Sequence, residues 1–172
     1  MATPPEVWLR GPVPGIAPEL QPAAHALLQS LEDVERAVAP LSAAELWATP
    51  GGAPSVGFHL LHLAGSVDRL CTYAAGTPLS DAQREELRWE KDPGAPPPTG
   101  EALLARCRTI VDRALAQLRA TPAGAFTEPR GVGRALLPST VGGLLFHAGE
   151  HAQRHAGQVL TTARIVRGRG DA

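Results

Sequence analysis

At 172 residues the chain is long enough to bury a core without disulfides or obligate assembly, so a single domain over residues 1–172 is expected. A formal net charge of −1 and a near-neutral isoelectric point provide no basic footprint for nucleic-acid backbones or anionic membranes, and neither partner is expected. No stretch is apolar and charge-free over a bilayer's thickness, and the opening Pro4-Pro5-Glu6 has no signal-peptide pattern, which together point to a soluble cytoplasmic protein.

In chain order, residues 1–16 read as an extended N-terminal arm. Apolar residues then recur at helical spacing from about Pro18 to Ala39, with Leu27, Leu28, Leu31, Val34 and Val38 as the buried stripe and both prolines near the start, where a missing N–H is tolerated. Ser42 and Glu45 have capping-box spacing for a short helix, and Trp47 near its end is placed to cover one end of the core. Ser55 reads as the N-cap of a second long helix to about Ala75, carrying Val56, His59, Leu60, Leu63, Val67 and Leu70. Between Gly76 and Gly100 a long crossover contains helix formers from Asp81 to Glu90, followed by a Pro-rich run. Thr99 caps a third helix to about Ala120, with Leu103, Leu104, Cys107, Ile110, Val111, Leu115 and Leu118 facing inward. A Gly/Pro-interrupted connection containing Phe126 leads to a fourth helix. It is expected to begin at Ser139, to carry Val141, Leu144, Leu145, Val159, Leu160 and Ile165, and to stop near Gly168, leaving 168–172 as a flexible tail. No strand is expected. The pattern is that of an all-α four-helix bundle with short extra helices in its connections, its second and third helices pointing the same way because the middle connection is the long one.

Cys71 and Cys107 fall inside apolar helical patterns, so buried thiols in a reducing compartment are expected rather than a disulfide. Arg164, Arg167 and Arg169 suit the end of a helix, where the dipole favours cations.

Five of the six histidines lie on two helices: His59 and His62 on the second, His147, His151 and His155 on the fourth. Residues four apart on a helix differ by about 40° and about 6 Å, so His151 and His155 can aim at one point. His62 can supply a third nitrogen from across the bundle, leaving open positions as in catalytic sites. Pro54-Ser55-Val56-Gly57 precedes His62 as Ser139-Thr140-Val141-Gly142 precedes His147, which keeps His147 in contention, as proximity keeps His59. One ion can hardly take three successive turns, which span about 12 Å. A surface pair or a satisfied core polar group is the simpler reading for two helical histidines. A third, inside the apolar run Phe58 to Leu63, weighs against it, since an unpaired buried imidazole costs roughly 1–3 kcal/mol. His25 has no partner at metal spacing, although its inward position on the first helix makes it a candidate to support the site. Gly142, Gly143, Gly149 and Gly157 lower helix stability by roughly 1 kcal/mol each, which close backbone packing would explain.

Glu150-His151-Ala152-Gln153-Arg154-His155-Ala156-Gly157-Gln158, together with Ser55-Val56-Gly57-Phe58-His59-Leu60-Leu61-His62-Leu63-Ala64, resembles the signature of the DinB/YfiT-like metalloenzymes over nearly the whole chain. The resemblance implies an up-down-down-up bundle holding a divalent metal, zinc or nickel, on His62, His151 and His155. Arg154 departs from the family pattern, which often has another histidine there. It further implies a small-molecule substrate and suggests an S-transferase or isomerase using a low-molecular-weight thiol such as bacillithiol or mycothiol, with Glu150, Arg154 or Gln158 near the substrate and a homodimer as one form of assembly. Two alternatives stand beside it. One is a metal-dependent hydrolase with Glu150 as base, against which neighbouring helical residues diverge by about 100°. The other is a non-catalytic metal-binding bundle that acts through dimerisation.

Overall fold

In the computed structural model, which describes residues 4–168, the helix starts follow the capping chemistry. A 3-10 turn over Pro18–Leu20 feeds α1 (Gln21–Val38). The Ser42/Glu45 capping box opens α2 (Ala43–Trp47), and the Ser55 hydroxyl accepts from Phe58 N to open α3 (Val56–Ala74). A second capping box, Ser80 with Gln83, opens α4 (Asp81–Trp89) inside the crossover, and Thr99 caps α5 (Gly100–Ala120). α6 (Val141–Gly168) starts two residues later than expected, with the Thr140 hydroxyl accepting from Gly143 N at 3.0 Å.

The reason for the late start is a β-hairpin where the sequence promised only a loop. β1 (Pro129–Val132) pairs antiparallel with β2 (Leu137–Thr140), so Ser139 and Thr140 end a strand before α6 begins. Two four-residue strands carrying Pro129, Gly131 and Pro138 show no apolar–polar alternation in their sequence, and proline is tolerated because each strand has a free edge. Arg130 ties the hairpin to the end of α3, its Nε donating to Ala74 O at 2.9 Å.

Contacts between the four long helices give their directions. Ala23 lies beside Gly149, and Gln153 donates to Ala26 O, so α1 and α6 run parallel. His59 meets His155 and His62 meets His151, so α3 and α6 are antiparallel. Cys107 donates to Leu60 O and Gln117 to Cys71 O, which makes α3 and α5 parallel. The bundle is therefore up-down-down-up, as the long crossover implied. Its core takes the expected stripes of α3 and α5 together with Leu27, Val34 and Val38 of α1, while Leu28, Leu31 and Leu70 pack at the margin. Trp47 covers one end, its indole lying where a side chain at Gly57 would be and its Nε1 donating to Pro98 O at 3.1 Å. Ile165 departs from expectation: it is 46 % exposed, and Val166 beside it is buried instead.

The N-terminal arm is not extended throughout. Val7–Arg10 forms a 3-10 turn on α1, with Val7 buried, Val7 N donating to Gln29 and Arg10 pairing with Glu32. His25 serves this arm rather than the histidine cluster, its Nε2 lying 3.1 Å from Gly11 O. Arg169 and nearly all of the expected 168–172 tail lie outside the described residues. Among the described residues no helix is long and apolar enough to cross a membrane.

Candidate metal centre

Antiparallel packing of α3 on α6 turns two helical spacings into one cluster. His62, one turn and a half into α3, faces the stripe formed by His151 and His155, and each of the three offers a nitrogen within 4.8 Å of the others. His59 and His147 are outside this group. His59 is buried with its Nδ1 3.1 Å from His155 Nδ1, which leaves Nε2 as the nitrogen His155 can offer. His147 is half exposed and pairs with Glu150 at 3.0 Å.

Two side chains that the sequence did not single out orient His62. Glu90, the residue that closes α4, lies only 4 % exposed with its Oε2 2.8 Å from His62 Nδ1. Its Oε1 accepts from Arg69 of α3 at 2.5 Å. A carboxylate only accepts, so Nδ1 carries the proton and Nε2 presents its lone pair to the cluster. Burial would push the Glu90 carboxyl up, but hydrogen bonds from His62 and Arg69 and the Arg69 charge outweigh it and hold the group below the ordinary carboxylate range. Gly65 makes this possible, because a Cβ there would stand 2.0 Å from Glu90 Oε1. The one signal in the sequence was that glycine, one turn before a helical arginine and one turn after His62.

The donor set fits a divalent ion. His62 Nε2 and His151 Nε2 are 3.2 Å apart, and nitrogens bound at 2.0–2.1 Å to a common tetrahedral ion stand about 3.3 Å from each other. Two lone pairs so placed repel unless a cation or a proton lies between them. Burial, and then repulsion from His62 whenever that imidazole is protonated, lower His151 to about 4 and His155 to about 3, so both are neutral at physiological pH and free to ligate. His151 Nδ1 is buried without a hydrogen-bond partner, so this imidazole lacks the bracing that His62 has. The cluster is not sealed. The His62 side chain is 25 % exposed, and Phe58 stacks on it with parallel rings 5.7 Å apart.

None of the residues expected near a substrate hydrogen-bonds to the three imidazoles. Glu150 and Arg154 pair with each other at 2.5 Å on the outer face of α6, and Gln158 is exposed one turn beyond His155. Of the helical glycines, Gly149 lets α6 approach α1, a Cβ there meeting Ala23 O at 3.0 Å, and Gly142 lies against Phe126 O. Gly157 faces open space, so close packing does not explain it.

No curated protein matches the chain. Among solved structures it is similar to a conserved protein of Enterococcus faecalis, with a TM-score of 0.66 and 20 % identity over 85 % of this chain and 95 % of that one, a likeness of fold. The family model of the DinB superfamily matches residues 26–159, a span that runs from within α1 to within α6 and includes the whole histidine cluster, and the chain belongs to that superfamily.

Proposed function

We propose that the chain is a metal-dependent enzyme in which His62, His151 and His155 hold a divalent ion, zinc or nickel, and that its substrate is a low-molecular-weight thiol transferred to an electrophile. The observation that carries this reading is the convergence of three imidazole nitrogens within 4.8 Å, with His62 at the solvent edge. A bound divalent ion lowers the pKa of a thiol beside it far enough to hold it as a thiolate at neutral pH, and lowers that of a water from a much higher starting value. Glu90 keeps the proton on His62 Nδ1 and so keeps Nε2 a donor of electrons, and Arg69 keeps Glu90 ionised. His59 does the same for His155 from the buried side. Phe58 shields the open face of His62 and gives an apolar substrate a surface to lie on.

Thiol chemistry is favoured over hydrolysis by where the carboxylates lie. Water needs a base to take its proton, yet Glu150 is engaged with Arg154 and His147, and Glu90 is occupied by His62 and Arg69. A free thiol, with a pKa of about 8.5, ionises far more readily. The test is to load the purified chain with zinc or nickel and follow conjugation of bacillithiol, mycothiol and glutathione to monochlorobimane. Metal-dependent turnover with one of them, abolished by His155→Ala, is expected. No turnover with any of them, beside hydrolysis of an ester or amide panel, would overturn the thiol reading.

A further inference from the structure

The crossover and the hairpin enclose a second pocket, of about 860 Å³, lined by the end of α3, by α4 and by the β1–β2 turn. None of the three clustered histidines lines it. Four of its lining residues are arginines, Arg84, Arg88, Arg130 and Arg134, and no carboxylate lines it. Arg84 is paired with Asp81 and Arg130 with Glu128, both of which lie outside the lining. The Arg88 and Arg134 side chains make no ion pair or hydrogen bond among the described residues, although the Arg88 charge acts on Asp81, so the lining carries four guanidinium groups and no carboxylate.

Between these charges the walls are apolar. Leu87 from α4 is 40 % exposed and Leu136 from the hairpin turn is 72 % exposed, and Tyr73 of α3 joins them. Leu136 also sits in the left-handed region at φ 48°, an unfavourable backbone for a leucine, and leans over Gly131, where a Cβ would meet its side chain at 3.0 Å. A strained turn that holds a large apolar side chain out of the core, beside two guanidinium groups that make no ion pair within 4 Å, suits a preformed site for a small ligand. The volume is within the range of such sites.

We propose that this pocket binds an amphipathic organic anion, its carboxylate or phosphate monoester held by Arg88 and Arg134 and its apolar body lying between Leu87, Leu136 and Tyr73. Guanidinium groups match both headgroups through paired N–H donors, and the leucines exclude water from the chain behind them. The site is independent of the metal reading.

Isothermal titration of the full chain with octanoate, octyl phosphate and octyl glucoside, in the presence of a chelator, tests it. Saturable binding of octanoate or octyl phosphate is expected, weakened by added salt and by about tenfold or more in Arg88→Gln/Arg134→Gln, with circular dichroism unchanged because both side chains are exposed. The better of the two anions identifies the headgroup. Leu87→Asp, which puts a negative charge on the apolar wall at an exposed position, is expected to weaken binding similarly and provides a second variant should the first fail to fold. No saturable binding of either anion, equal binding of octyl glucoside, or an affinity unmoved by the folded variants would overturn the proposal.

Discussion

Glu90 shows how one side chain can decide whether a ligand is ready. Replacing it by Gln keeps an acceptor near His62 Nδ1 but leaves the buried Arg69 without a counter-charge, and removing one partner of a buried pair costs about 3–5 kcal/mol. Glu90→Gln is therefore expected to lower zinc affinity by about 10–100-fold, read by competition with a chelating dye, and to lower the urea midpoint. Gly65 and Gly157 form a matched test of the same contact. Gly65→Ala drives a Cβ into Glu90 Oε1 and is expected to lose about 1–3 kcal/mol together with metal affinity. Gly157→Ala meets nothing within 4 Å and should gain about 0.5–1 kcal/mol with zinc binding unchanged. Equal effects of the two on zinc affinity would show that Glu90 does not brace the site. The cluster of three imidazoles was readable because helical spacing fixes direction: His151 and His155 share a stripe, and His62 meets them once α3 and α6 are antiparallel. Glu90 was not readable, since its position depends on how the crossover folds back, which no local periodicity encodes.

Among the elements, the interface of α1 with α6 rests on a near-backbone contact at Gly149 that no side chain can relieve. Gly149→Leu is expected to destabilise the bundle by roughly 2 kcal/mol or more in chemical denaturation, since Ala23 O and Cα cannot rotate away as a side chain would. The long helices were legible because their stripes, caps and breakers agree with one another: Ser55 and Thr99 cap where they were expected to, and the Ser42/Glu45 capping box forms. The echo between Val56 and Val141 also marks true helix starts, yet its sixth following residue is a ligand candidate in one helix and an outward residue in the other. That difference arises because α6 meets both α1 and α3 and so turns a different face inward. The hairpin escaped notice for the opposite reason. Its pairing comes from Arg130 reaching the end of α3 and from its seat before α6, not from strand propensity.

At the scale of the whole molecule, the two cysteines report on opening and the histidines on what holds the bundle shut. Burial pushes Cys71 and Cys107 from an ordinary 9.0 up to about 12. The unfolded chain loses these protons near pH 9 and the folded chain only near 12, so stability is expected to fall as pH climbs through that window. The same burial means that Ellman's reagent should label both thiols only through unfolding. A metal held as proposed would bind the closed bundle, where three helical nitrogens converge, and would have no comparable site in the open chain, so it would stabilise by RT ln(1 + [L]/Kd). Zinc or nickel at a hundred times its Kd is worth about 2.7 kcal/mol, which for a chain of this size raises Tm by about 5–11 °C. The rise should grow with metal concentration, slow Ellman labelling at fixed pH, and vanish in His62→Ala and in His155→Ala. It should survive in His147→Ala, because that imidazole is paired with Glu150 outside the cluster. A stabilisation that persists in His155→Ala but disappears in His147→Ala would relocate the ion to the outer face of α6, and with it the basis for assigning any chemistry to the space between α3 and α6.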